Sequence, residues 1–126
     1  MRFTFDIPET LRLNGNYSLM HAIFRNLMEN SLRYAGNGTE MHTECYSEDR
    51  EFCHFRFYDT GQGVEAQHLP RLFERFYRVG EGRTREDGGT GLGLSIVRNA
   101  VLFHSGNISA RNRAGGGLEF IFSLKK

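Results

Sequence analysis

Asp87-Gly88-Gly89-Thr90-Gly91-Leu92-Gly93-Leu94-Ser95-Ile96-Val97 runs four glycines directly into an apolar, helix-forming segment. Glycine has no Cβ, so its amide can approach an oxyanion closely and its backbone can adopt positive φ. The N-terminus of the following helix adds unpaired N–H groups and a partial positive charge. That is the chemistry of a phosphate cradle, although a flexible loop before a helix has the same composition. What lies upstream decides between the two.

Working outward from that stretch, periodicity divides the chain into a small set of elements. Arg2-Phe3-Thr4-Phe5-Asp6-Ile7 alternates as a strand, Pro8 ends it, and a second short strand is expected near Leu11 to Leu13. From Tyr17 to about Ala35, Leu19, Ile23, Leu27 and Ser31 recur at helical spacing, with Met20, Phe24 and Met28 widening the stripe. Gly36-Asn37-Gly38 stops that helix. Segments 40–47 and 51–59 read as a hairpin through Ser47-Glu48-Asp49-Arg50, Gly91 to His104 as a second helix, and 107–111 with 118–124 as a last hairpin. Two long helices among antiparallel strands predict an α+β fold, a two-layer sandwich in which a mixed, mostly antiparallel sheet packs on helices.

Composition narrows the function. With 126 residues, 39% hydrophobic and 25% charged, the chain reads as one soluble domain with a single core. A net charge of +1 gives no electrostatic case for nucleic acid or an acidic membrane surface. No apolar run approaches the roughly 18 residues of a membrane span. Cys45 and Cys53 lack metal-ligand spacing and are expected as reduced, partly buried thiols.

Two clusters carry chemistry. In the first, Asn26-Leu27-Met28-Glu29-Asn30-Ser31-Leu32-Arg33-Tyr34, residues 26, 30 and 33 share one helix face while Ile23 and Leu27 point to the core. Asparagine is a mediocre helix former, so two at i and i+4 suggest a local purpose. An amide oxygen is a neutral hard ligand suited to a Mg²⁺ already held by phosphates. In the second, Phe57-Tyr58-Asp59-Thr60-Gly61-Gln62-Gly63-Val64, an aspartate leaves an apolar strand into a D-x-G-x-G turn. Its carboxylate can accept a hydrogen bond from an exocyclic amine, though a plain tight turn would use the same residues.

Together these clusters resemble the ATP-binding domain of bacterial sensor histidine kinases, a branch of the Bergerat-fold ATPases, over nearly the whole chain. The helix cluster is similar to the N box, Asp59 to Gly63 to the first glycine box, and Gly89-Thr90-Gly91-Leu92-Gly93-Leu94 to the second. Leu69-Pro70-Arg71-Leu72-Phe73-Glu74-Arg75-Phe76-Tyr77-Arg78 is similar to the F box. The resemblance implies that Asn30 binds Mg²⁺ and that Asn26 supports the metal and phosphate network. Arg33, where many members have lysine, would contact phosphate with a planar fork. Tyr34 would lie along the nucleotide, Asp59 would select adenine, and Gly61, Gly63 and Val64 would shape the base pocket. Tyr77 and Arg78 would reach the phosphates from the lid side, Arg78 stabilising the transferring group. Amides from Gly89 to Leu94 would hold the phosphate tail, and Val79 to Gly88 would form a mobile lid.

An absence shapes the implied mechanism. Bergerat relatives that hydrolyse ATP, such as DNA gyrase, place a general-base glutamate one turn before the metal-binding asparagine. Asn26 stands there, and a neutral amide cannot activate water, so slow hydrolysis and phosphoryl transfer are expected. Glu29 lies about 100° round the helix from Asn30 and is discounted as the base. None of His21, His42, His54, His68 and His104 has a phosphoacceptor setting; each reads as a surface or packing histidine. The resemblance therefore implies a catalytic piece, a monomer that does not autophosphorylate, of a longer receptor. Its expected partners are a histidine-bearing dimerisation domain and a response regulator, on the cytoplasmic side of an inner-membrane protein. A Bergerat-type protein serine kinase and a non-catalytic nucleotide-sensing module are the alternatives.

Overall fold

The computed structural model describes residues 2–36, 38–78 and 91–126. Among them run strands β1 (Arg2–Asp6), β2 (Glu40–Glu48), β3 (Phe52–Asp59), β4 (Ile108–Asn112) and β5 (Leu118–Lys125), with helices α1 (Tyr17–Tyr34) and α2 (Gly93–Phe103). A 3₁₀ turn spans Ala66–Arg71. The sheet order is β1-β2-β3-β5-β4. β1 lies parallel to β2, and the other pairings are antiparallel. This is the mixed, mostly antiparallel sheet of the expected α+β sandwich.

Strand alternation explains the two faces. On β3, Cys53, Phe55 and Phe57 point inward, and on β5 so do Leu118, Phe120, Phe122 and Leu124; all are buried. Ile23 and Leu27 of α1 and Val97, Ala100 and Val101 of α2 complete the core. Phe55 stacks on Phe122 with centroids 5.3 Å apart, and Phe24 of α1 meets both rings edge-on. The opposite face carries charge. There Arg56 bridges Glu44 at 2.9 Å and Glu119 at 2.8 Å, and Arg111 joins Glu119 at 2.6 Å, so ion pairs link β2, β3, β5 and β4.

The helices are antiparallel and pinned at one end. Asn16 caps α1, its Oδ1 accepting from Leu19 N–H at 2.9 Å, while its own N–H donates to His104 Nε2 at 3.1 Å. Because Nε2 accepts, the ring proton sits on Nδ1, which donates to Ala100 O at 2.8 Å. A Cβ on Gly15 would come within 2.5 Å of that ring. His104 is therefore a packing histidine, as expected, and the far end of the helix pair is left to frame the site.

One expected element is absent. Leu11 to Leu13 pairs with no strand of the sheet, and the segment instead turns through a Leu11 N–H to Pro8 O bond of 3.1 Å. Leu11 and Leu13 pack against the core as loop residues. Cys45 and Cys53 are both free thiols, and burial pushes Cys53 up to about 11.

Candidate nucleotide-binding site

A cavity of about 240 Å³ opens between the second half of α1, the turn after β3 and the start of α2. Its floor is Asp59. Alternation along β3 puts that residue in phase with Phe55 and Phe57, so its side chain enters the interior, where it is 4% exposed. Three donors meet it: Ser31 Oγ–H on Oδ2 at 3.0 Å, and the N–H groups of Gly61 and Leu118 on Oδ1 at 3.0 and 3.2 Å. A carboxylate so surrounded is an oriented acceptor, and what it can take from a ligand is a donor such as an exocyclic amine.

The turn beyond Asp59 needs its glycines for closeness. A Cβ on Gly61 would sit 2.5 Å from Ala35 O and 2.6 Å from Ala35 Cα, so the turn lies directly on the end of α1. Gly63 adopts φ +70°, the left-handed region that side chains disfavour. Val64 follows into the cavity wall.

At the other end, α1 presents Asn26, Asn30 and Arg33 to the cavity, as their shared face requires. Asn26 Nδ2 donates to Ala22 O at 2.7 Å, which turns Oδ1 toward α2; a Cβ on Gly93 would stand 3.2 Å from that oxygen. Gly93 and Leu94, in the first turn of α2, line the cavity with N–H groups that the helix leaves unpaired. Phe76 N–H donates to Gly91 O at 2.6 Å, and both residues have positive φ, 67° and 76°. The close approach excludes a Cβ at Gly91, which would lie 2.6 Å from Phe76 Cα. Tyr77 lines the cavity with its hydroxyl paired to His68 Nδ1 and the Arg71 guanidinium 4.4 Å above its ring.

Of the residues singled out in the sequence, Asn26, Asn30, Arg33, Tyr34, Asp59, Gly63, Val64, Tyr77, Arg78, Gly91, Gly93 and Leu94 converge on this cavity. Gly61 does not line it and acts from behind, seated against Ala35 with its N–H on Asp59. Leu92 stands outside the wall as the N-cap of α2, its carbonyl accepting from Ser95 Oγ–H at 2.7 Å. Gly89, Thr90 and the lid segment Val79 to Gly88 lie outside the described residues. Sequence reasoning missed Ser31 and Leu118, both on Asp59. It also discounted Glu29, which lines the cavity beside Asn30. The signal for Ser31 was present: a hydroxyl recurring within an apolar helical stripe must find a buried partner.

Fold and cavity define an ATP-binding domain of the Bergerat type. Residues 15–126 match the family described as histidine kinase-, DNA gyrase B-, and HSP90-like ATPase, and the chain belongs to that family. It is 36% identical over 124 residues to the signal transduction histidine-protein kinase BaeS of Escherichia coli (strain K12), covering 98% of this chain and 26% of that one. To the phosphate regulon sensor protein PhoR of Pseudomonas aeruginosa it is 35% identical over 119 residues, covering 94% and 27%. The chain thus spans about a quarter of the length of these curated relatives. The mycobacterial sensor histidine kinase MprB shares the fold with a TM-score of 0.85 at 24% identity, over 98% of this chain and 82% of that one.

Proposed function

We propose that this domain binds Mg-ATP and donates the γ-phosphoryl group to a histidine on a separate dimerisation domain of its parent protein. A response regulator would then take the group onward in two-component signalling. The observation that carries this reading is the pairing, across one cavity, of a donor-ringed Asp59 with the amide and guanidinium face of α1. Adenine would place its amino group on Asp59 Oδ2, with Val64 and Leu118 against the base and Tyr34 along the nucleotide. The triphosphate would then run toward Arg33, Arg78 and the first-turn N–H groups of α2.

The donor set suits Mg²⁺. With Asn26 Nδ2 spent on Ala22 O, an oxygen faces the cavity, and Asn30 supplies a second amide: neutral oxygen donors for an ion mainly held by phosphates. Asn30 would hold the ion and Asn26 would support it, the bound ion neutralising charge on the phosphate oxygens. Arg33 offers a bidentate contact to phosphate, and Arg78 offsets charge developing on the transferring group. Asn26 cannot accept a proton from water, so the domain would hold ATP for an external acceptor and hydrolyse it slowly.

The named relatives are a signal transduction histidine-protein kinase and a sensor protein, which supports reading this domain as part of a signalling sensor; in that reading it sits, as a monomer, on the cytoplasmic side of an inner-membrane receptor. Among the described residues, no helix is long and apolar enough to cross a membrane. The test is incubation of the parent protein with γ-labelled ATP. Label lost in acid and kept in alkali, with none held stably by this domain alone, is the expected result. Acid-stable label would point to the serine-kinase alternative and overturn the histidine reading.

A further inference from the structure

The groups that fix the base end of the cavity trace back to one rung of the sheet. Asn112, the last residue of β4, pairs with Leu118, the first of β5. Leu118 N–H holds the Asp59 carboxylate at 3.2 Å. Asn112 holds the other end of the same turn: its Oδ1 accepts from Val64 N–H at 3.0 Å and its Nδ2 donates to Val64 O at 2.6 Å. One side-chain amide therefore satisfies both main-chain groups of a single residue, as a neighbouring strand would. Packing agrees with the bonding. A Cβ on Gly63 would stand 2.5 Å from Asn112 Oδ1 and 3.1 Å from Gly117 O, and one on Gly117 would overlap the Asp59 carbonyl oxygen. Glycine at 63 and 117 thus permits the hairpin to seat against the turn.

We infer that Asn112 is a positioning residue for the nucleotide base. It lies outside the cavity wall and acts through Val64, setting the distance between the Asp59 floor and the apolar wall that would face the base. This rests on the nucleotide reading above. It adds that affinity for the base depends on an edge strand 48 residues away in sequence from Val64.

The test is calorimetric titration of ATP, adenosine and inorganic tripolyphosphate into the native chain, Asn112→Ala and Asn112→Asp. Removing two hydrogen bonds should weaken ATP and adenosine by the same factor, about tenfold, and leave tripolyphosphate unchanged. Asn112→Asp keeps the acceptor for Val64 N–H but sets a carboxylate oxygen against Val64 O, so it should weaken ATP and adenosine at least as much as Asn112→Ala and again leave tripolyphosphate unchanged. Faster exchange of the Val64 amide should accompany the loss in Asn112→Ala, whereas Asn112→Asp, which keeps the acceptor, should leave that amide protected. An Asn112→Ala protein that binds ATP and adenosine as the native chain does overturns the inference and leaves the nucleotide reading standing. An equal loss for tripolyphosphate also overturns it, since that marks a general loosening. If Asn112→Ala does not fold, Asn112→Asp decides on the same criteria. A native chain that binds neither ATP nor adenosine overturns both.

Discussion

The floor of the cavity is held by a closed set of hydrogen bonds from main chain and side chains, whereas its mouth is faced by helix side chains. At the floor, Asp59 is met by two backbone N–H groups and a buried hydroxyl, and Val64 is clamped through both its backbone groups. At the mouth, Asn30, half-buried, and Arg33, exposed, project from α1 beside the first turn of α2. The difference suits what the proposed function asks of each end. A flat base with fixed donors and acceptors would be selected by a rigid frame. A triphosphate, charged and flexible, would be held by long side chains and a helix terminus that can adjust to it.

Substitutions should separate the two ends. The largest effect is expected from Asp59→Asn. The amide can still accept from Gly61 and Leu118 and can donate to Ser31 Oγ, so the fold should survive, but an –NH₂ then confronts the adenine amino group. ATP affinity should fall about 100-fold, and preference should shift toward a 6-oxo purine triphosphate, both read by calorimetry. Unchanged selectivity would break the assignment of the floor. Asn30→Ala should weaken Mg-ATP by about tenfold while leaving adenosine unaffected, because it acts only at the mouth. An equal loss for adenosine would erase the distinction.

Ser31→Ala removes one donor from Asp59, whose other two donors remain, and should cost about fivefold in ATP affinity, in line with the net worth of one ordinary hydrogen bond, about 1 kcal/mol. Glu29→Gln is expected to leave the slow intrinsic hydrolysis unchanged. A tenfold drop would instead make Glu29, which shares the cavity, the general base. Hydrogen exchange should show the Gly61, Val64 and Leu118 amides protected before ligand is added, and the Gly93 and Leu94 amides protected only afterwards.

The mouth was far more legible in the sequence than the floor. Asn26, Asn30 and Arg33 are local: helical spacing alone puts them on one face, and Gly91 to Leu94 announce a helix start. Asp59 was visible as a residue, but its setting was not, because Ser31, Leu118 and Asn112 reach the turn across 28, 59 and 48 residues of chain. No local period encodes such contacts. The fold was readable for the same reason as the mouth: Phe52 to Asp59 and Leu118 to Lys125 alternate strongly enough to fix both faces of the sheet. Leu11 to Leu13 misled because alternation marks a chain that could be a strand, while a strand also needs a partner, and the turn after Pro8 carries this segment onto the core instead. The ion pairs of Arg56 with Glu44 and Glu119 lay equally hidden, being a product of register between strands.

The most direct test of the account is calorimetric titration of ATP into this chain and into Asp59→Ala, each with and without Mg²⁺. Saturable binding that strengthens with the metal and is abolished by the substitution is the predicted result. Binding that survives Asp59→Ala at native strength, or no binding by the intact chain, would contradict it.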